Sequence, residues 1–405
     1  MSDVLTNLLR PGQRIFVGGS ANEPTGLLDT LSQASLPADL HFVQFPIGGL
    51  NEVDFTQWQD TAQLTTFFMT PSLRNADPAR LHFLPMQMRA VYDYVARDID
   101  VCLLQVALDA QGELRLGPNV DFVDAALSSA PVVIAELNHS FVASAGAPLI
   151  SRERIDAIVE TERAMVPMPA PQIDAAAAEI GRLVAGLIND GDCLQTGIGA
   201  IPAAILQGLG DKQDLGMHGG LIDDGGMTLI QQGNMNGLRK EIDRGQHVAG
   251  MALGSAALLE WLAHTPQVVY RGANHTHEVA AIRQLSNFVS VNSAVEIDLF
   301  GQVNAEFAGG RQISGTGGSV DFMRAAKSSP GGRSIVAMNA TARNGSVSRI
   351  VGKVELVTAL RTDTDIVVTE FGVADIKHLP NVARREALIE VAAPQFRDAL
   401  HSGEL

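Results

Sequence analysis

Residues 15–31, IFVGGSANEPTGLLDTL, and residues 193–209, CLQTGIGAIPAAILQGL, follow one plan: a β-branched or apolar strand, a glycine pair, then a helix entered through proline. Gly19 precedes Pro24 by five residues, and Gly197 precedes Pro202 by the same five. Proline suits a first helical turn, where its missing N–H would have no intrahelical acceptor. A second pair follows in the same order. GPNVDFVDAA (117–126) leads into the strand-like APVVIAEL, and GGSVDFMRAA (317–326) leads into RSIVAMNA. Val120-Asp121-Phe122 and Val320-Asp321-Phe322 lie 200 residues apart. Two matches in one order indicate tandem, related units.

Outward from these stretches, short apolar runs alternate with helix-period segments, the pattern of α/β layers around a mostly parallel sheet. IFVGG (15–19), HFVQF (41–45) and VVIAEL (132–137) read as strands. IDAAAAEIGRLVAGLIND (173–190) reads as a helix, with Ile173, Ile180, Leu183, Val184, Leu187 and Ile188 on one face and Gly191 as its terminator. The preceding VPMPAPQ carries three prolines and reads as a linker. The expected fold is therefore α/β, with two similar open α/β domains over 1–170 and 171–405. A chain of 405 residues with 46% hydrophobic and 18% charged residues has the apolar content to fill two such cores.

A net charge of −16 and a pI near 5.0 repel polyanions, so neither nucleic acid nor an anionic membrane face is expected as partner. Cys102 and Cys193 both lie in apolar runs and read as buried thiols rather than a disulfide or metal cluster. MSDVLTNLLRPGQ lacks a basic region followed by an apolar core, and no long uncharged apolar run occurs, which points to a cytoplasmic protein.

A strand running through Gly-x-Gly into a helix directs backbone N–H groups and the positive end of the helix at one point, an anion or oxyanion site. Gly197-Ile198-Gly199-Ala200-Ile201 has this layout; the alternative is a tight turn with no ligand. SGTGGSVDF (314–322) concentrates Gly315, Gly317 and Gly318, so either a ligand or another chain segment approaches that backbone. Neither loop ends in the Gly-Lys-Ser/Thr of a nucleotide P-loop or carries the spaced acid of a dinucleotide fold, which speaks against ATP and NAD. His275 and His277 form the only close histidine pair and read as a polar loop; no metal is expected.

NSAVEIDLFGQVNAE (292–306), ISGTGGSVDFMRAA (313–326), VSRIV (347–351) and VVTEFGVADIK (367–377) resemble the acetyl-CoA hydrolase/transferase family, as do LQTGIGAIPAAILQGL (194–209) and LGMHGGLIDDGG (215–226). The N-terminal half resembles it more loosely, through GGSANEPT and GPNVDFV. The resemblance implies two class I CoA-transferase-like domains with the site in the interdomain cleft and coenzyme A, as acyl-CoA substrate, held mainly by the C-terminal domain. It implies CoA transfer between a small acyl-CoA and a carboxylate, or thioester hydrolysis, by a homodimer. The implied CoA contacts are Gly197, Ile198, Gly199, Ala200, Ile201, Val295, Ser314, Gly317, Gly318 and Arg343. An always-charged guanidinium suits a CoA phosphate.

Transferases of the family carry a nucleophilic glutamate two residues after the position of His218, and here that position is Gly220. Glycine has no nucleophile, so a glutamyl-CoA intermediate cannot form there. His218 and three acids remain as candidate catalytic residues, each acid with a structural alternative. Asp223 also reads as a turn residue, Glu23 as a helix-stabilising charge, and Glu296 as a solvated or pairing group on the face opposite Ser293, Val295 and Ile297. Three outcomes are compatible with this: thioester chemistry through another acid or an activated water, direct acyl transfer to an acceptor, or CoA binding without catalysis.

Overall fold

A computed structural model describes residues 2–404. In the first half, Arg14–Val17 (β1), His41–Gln44 (β2), Gln63–Thr66 (β3), Leu81–Phe83 (β4), Val101–Leu108 (β5), Leu114–Leu116 (β6), Val132–Asn138 (β7) and Ala157–Thr161 (β8) make one sheet. Its order is β4-β3-β2-β1-β5-β7-β8, with every neighbour parallel, and β6 pairs antiparallel with β5. A parallel sheet is covered on both faces, which is why VCLLQVAL is buried along seven of its eight residues. Helix Thr25–Ser32 (α1) buries Leu27, Leu28 and Leu31 against Ile15, Val17 and Leu103. Each such side chain contributes about 1.5–3 kcal/mol.

The second half builds a smaller sheet from Cys193–Gln195 (β9), Gly216–Met217 (β10), Phe288–Asn292 (β11), Arg333–Ala337 (β12), Ile366–Thr369 (β13) and Gly372–Asp375 (β14). The order is β10-β9-β11-β12-β13-β14, parallel except for β14. The path β2-β1-β5-β7-β8 therefore recurs as β10-β9-β11-β12-β13. The register agrees residue by residue: Ile15 lies between Phe42 and Val101, and Cys193 lies between Gly216 and Phe288. Gly19 and Gly197 each stand four residues beyond these. The two Val-Asp-Phe segments enter helices Val123–Ser129 (α2) and Ser319–Ser328 (α3), which connect β5 to β7 and β11 to β12. The tandem α/β architecture expected from the repeats is the one observed.

The domain limits differ from the expected break near 170. One compact unit contains the residues up to Pro169 together with Val248–Thr276; the other contains Ala170–His247 and the residues from His277 onward. Backbone hydrogen bonds tie the 248–276 excursion to the first unit: Val120 N donates to Gly250 O, Ala252 N to Pro118 O, and Tyr270 N to Gly146 O. A Cβ at Gly146 would overlap Val268 O, so the close approach there requires glycine.

Helix 173–190 is shorter than its periodicity suggests. It runs Ala175–Ala185, opened by the Asp174 side chain, which accepts from Ala177 N at 2.8 Å, and closed at Gly186. Leu187 and Ile188 continue in tight turns, with Leu187 N bonded to Val184 O and Ile188 N to Ala185 O. Cys102 and Cys193 are buried free thiols, and burial pushes both up to about 12. Among the described residues, no helix is long and apolar enough to cross a membrane.

Candidate functional site

In an open parallel sheet, ligands lie outside the carboxyl ends of the strands, where successive connections leave to opposite sides. The second unit has this switch point between β9 and β11, because β10 lies on one side of β9 and β11 on the other. Gln195 and Asn292, the last residues of β9 and β11, join across it through reciprocal amide hydrogen bonds of 3.4 and 3.2 Å.

The Gly197–Gly199 loop leaves β9 at this point and enters helix Ala200–Gln207. Gly199 is the N-cap, with φ at +114°, a conformation that excludes a Cβ. A Cβ on Gly197 or Gly199 would meet no atom within 4 Å, so this backbone faces open space, and Ile198 is half exposed. The first N–H groups of the helix have no intrahelical acceptor, so Ala200 and Ile201 present donors there. Gly317 is also left-handed, with φ at +57°, and open, whereas Gly318 caps α3 and is closely packed.

A histidine joins the glycine segments. His277 is 1% exposed, and its ring lies 4.4 Å from that of Phe322. A Cβ on Gly318 would stand 2.5 Å from His277 Cδ2 and nearer still to Nε2; one on Gly220 would stand 3.2 Å from Cε1. Gly219 would touch Gln195 Cγ at 3.2 Å in the same way. Burial lowers His277 to about 3, leaving the imidazole neutral. This corrects the polar-loop reading of His277. One glycine of each of the pairs 219–220 and 317–318, namely Gly220 and Gly318, lies against this ring.

The acid candidates fall into different environments. Asp223 is the N-cap of helix Asp224–Gln231, accepting from Gly226 N at 2.8 Å, and burial raises its pKa against that bond. Glu296 accepts from Asn304 Nδ2 at 3.0 Å and from Glu355 N at 3.3 Å, in a small sheet of Glu296–Asp298 with Val303–Asn304 and Ile350–Val351. Val295 lies beside it, and its carbonyl accepts from Arg349 Nε at 2.8 Å. Ser314 Oγ donates to Ala305 O at 3.1 Å. His218 is fully buried, edge-on to Phe288. Arg343 is exposed in the turn joining Thr341–Ala342 to Val347–Ser348, with φ at +49°.

Glu23 belongs to the first unit, whose own switch point lies between β1 and β5. That crevice is filled rather than open. Asn22 Nδ2 donates to Asn119 O at 3.0 Å, Gln105 Nε2 donates to Ala21 O at 3.3 Å, and a Cβ at Gly117 would stand 2.8 Å from Asn22 Cγ. The Glu23 carboxylate is 5% exposed and accepts from Gln44 Nε2 at 2.8 Å. Burial, opposed by hydrogen bonds from Gln44 and Asn51, pushes it up to about 7. Arg163 donates to the Glu23 carbonyl and pairs with the buried Glu136 at 3.3 Å.

Sequence comparison identifies the family. The acetyl-CoA hydrolase/transferase N-terminal domain matches residues 2–169 and the C-terminal domain of the same name matches residues 254–403. The chain belongs to the acetyl-CoA hydrolase/transferase family. Its relatives include the 4-hydroxybutyrate coenzyme A transferase of Clostridium kluyveri, 39% identical over 306 residues, which are 75% of this chain and 71% of that protein. The butyryl-CoA:acetate CoA-transferase of Anaerostipes caccae is 35% identical over 339 residues, 80% of this chain and 74% of that one. Among solved structures, RipA from Yersinia pestis superposes with a TM-score of 0.92 at 30% identity, over 99% of this chain and 95% of that chain. The two domain matches leave 170–253 between them, the stretch that carries the 197–201 loop and Gly220.

Proposed function

We propose that this family member acts on acyl-coenzyme A thioesters, transferring CoA between a small acyl-CoA and a carboxylate or hydrolysing the thioester. The open Gly197–Gly199 backbone at the β9/β11 switch point carries the reading, because it offers N–H donors and unobstructed approach where such sheets bind ligands. CoA is held by Gly197, Ile198, Gly199, Ala200 and Ile201, with Gly317 and Gly318, Val295 and Ser314 as further contacts and Arg343 on a phosphate. Oxygen attack on the thioester carbonyl develops negative charge that the Ala200 and Ile201 amides stabilise. The C–S bond then breaks: with water as attacker the products are the free acid and CoA thiol, and with a carboxylate as attacker the product is a mixed anhydride, whose acceptor carbonyl the CoA thiolate then attacks to form the new thioester and expel the donor carboxylate.

With glycine at 220, no acyl or CoA group is carried on that residue, and the acceptor or water attacks directly. Of the acid candidates, Glu23 has the environment of a proton-transfer group, since a carboxyl near pKa 7 is present in both forms at neutral pH. The hydrogen bonds of Asp223 and Glu296 support structural roles for both. The protein functions in the cytoplasm as a symmetric homodimer, the commonest soluble assembly.

Incubation with acetyl-, butyryl- and succinyl-CoA, with and without acetate, tests this. Free CoA or exchanged thioester should appear, with no mass adduct at position 220 after hydroxylamine or borohydride trapping. Failure to consume any of the three thioesters would overturn the catalytic reading and leave CoA binding alone.

A further inference from the structure

Glu136, on β7, is completely buried, and both of its oxygens are engaged. Oε2 accepts from Leu27 N in the first turn of α1 at 3.0 Å, and Oε1 accepts from Thr161 Oγ1 at the end of β8 at 2.8 Å. A Cβ on Gly26 would stand 3.2 Å from Oε1, so helix and carboxylate are in close contact. The Arg163 guanidinium meets this fixed carboxylate, with Nε 3.4 Å and Nη2 3.3 Å from Oε1. The same Nη2 donates to the Glu23 carbonyl at 3.3 Å and to Gln105 Oε1 at 3.2 Å. The Arg163 main chain is held as well: its N–H donates to Asn138 Oδ1 at 3.2 Å, and its carbonyl accepts from Asn138 Nδ2 at 2.8 Å. The guanidinium therefore meets Glu23 at the main chain, while the Glu23 carboxyl faces amide donors from Gln44 and Asn51.

We infer that Glu136 is a positioning residue for Glu23: it holds the Arg163 guanidinium on the Glu23 carbonyl and away from the Glu23 carboxyl, which keeps a proton available for transfer. The inference rests on the proposed proton-transfer role of Glu23. A carboxyl paired directly with a guanidinium is held ionised, its pKa lowered by about 1–3 pH units, and so paired Glu23 could not donate a proton at neutral pH. A second, deeper carboxylate offsets the cation, and burial of Glu23 then prevails. The charged groups acting on the Glu23 carboxyl are Arg163, which favours ionisation, and Glu52, which opposes it, with Glu136 behind Arg163. Glu52 is exposed, so solvent and salt screen it; the Arg163–Glu136 pair sets the balance.

Glu23 titration is read without turnover, as the stability difference between a chain and its E23Q counterpart in urea melts of the full chain across the pH range. In the parent this difference levels off near pH 7. In E136Q the released guanidinium turns to the Glu23 carboxyl, and levelling should come about one pH unit lower; in R163Q the favourable charge is gone, and it should come higher. R163K, which keeps the charge, should lie closer to the parent than R163Q does. Displacements of opposite sign are what charge placement requires, whereas loss of packing would give no such opposition. Circular dichroism establishes that each variant is folded, and where E136Q is not, the rise in R163Q and its reversal in R163K carry the test. Levelling points that stay in place, or that move in one direction for both substitutions, would overturn the inference. The pH profile of kcat/KM is a separate readout: a profile that does not follow the displaced titration would overturn the proton-transfer role of Glu23 while the positioning of Arg163 stands.

Discussion

Replacing Gly318 by alanine should destabilise the second unit through a single ring. The new Cβ would stand 2.5 Å from His277 Cδ2, nearer still to Nε2, and 3.0 Å from Phe322 Cε2. Gly318 has φ at −93°, so backbone strain contributes nothing. The cost has two parts. Loss of a glycine N-cap is worth about 0.5 kcal/mol whatever the ring does. Overpacking against a buried ring adds about 1–3 kcal/mol. A total near 2 kcal/mol in a unit of roughly 200 residues lowers Tm by about 4–8 °C. Differential scanning calorimetry and urea midpoints read this directly. A double-mutant cycle with H277A isolates the cause: with the ring removed, G318A should cost only the capping loss, a coupling of about 1–2 kcal/mol. G197A, whose Cβ would meet nothing within 4 Å, is the neutral control. Equal G318A costs with and without the imidazole would refute the packing argument.

Burial raises Glu23 from 4.5 to about 7, so the folded chain holds its proton where the unfolded chain does not. Its stability contribution is full below pH 4.5, is lost as pH rises to about 7 and is constant above, a change on the order of 3 kcal/mol. E23Q should remove this slope, matching the parent at pH 4 and exceeding it at pH 8 in urea melts, while lowering kcat. D223A should cost about 1 kcal/mol by removing the cap on Gly226 N, with the residual activity per folded molecule nearly unchanged; a loss of activity beyond a hundredfold would restore Asp223 as a reacting group. R343A should weaken CoA binding several-fold at low salt, with the difference shrinking as salt screens the phosphate and no change in Tm, because the side chain is exposed.

The fold was legible because its decisive features are local. Strand, glycine pair and proline-led helix recur at one spacing, and in a parallel sheet that unit fixes both the strand and the direction of its return. Helix ends were less legible: Leu187 and Ile188 keep the helical period while their backbone turns more tightly, and periodicity reports which face is buried rather than which hydrogen bond is made. The 248–276 excursion was invisible because it is held by backbone contacts such as Gly146 with Val268, to which no residue pattern corresponds. In the site, the open glycines could be read from their cost, but His277 could not. Its packing depends on Gly220 and Gly318, which are 57 and 41 residues away in sequence and meet on the imidazole and on Phe322.

The duplicated frame carries two different packings at one place in each unit. Glu23 precedes Pro24 as Ile201 precedes Pro202, so the two side chains hold equivalent places after equivalent strands. In the first unit the crevice beside that place is packed with Asn22, Gln105 and Asn119, and the result is a dry, hydrogen-bonded carboxyl held near neutral pKa. In the second unit the crevice is kept empty by Gly197 and Gly199, and the equivalent place carries an apolar side chain with no charge to repel a thioester. Packing in the first unit raises the Glu23 pKa by burial, and the open loop of the second unit presents backbone N–H groups. In the second unit, position 220 is a glycine packed against the neutral His277 ring.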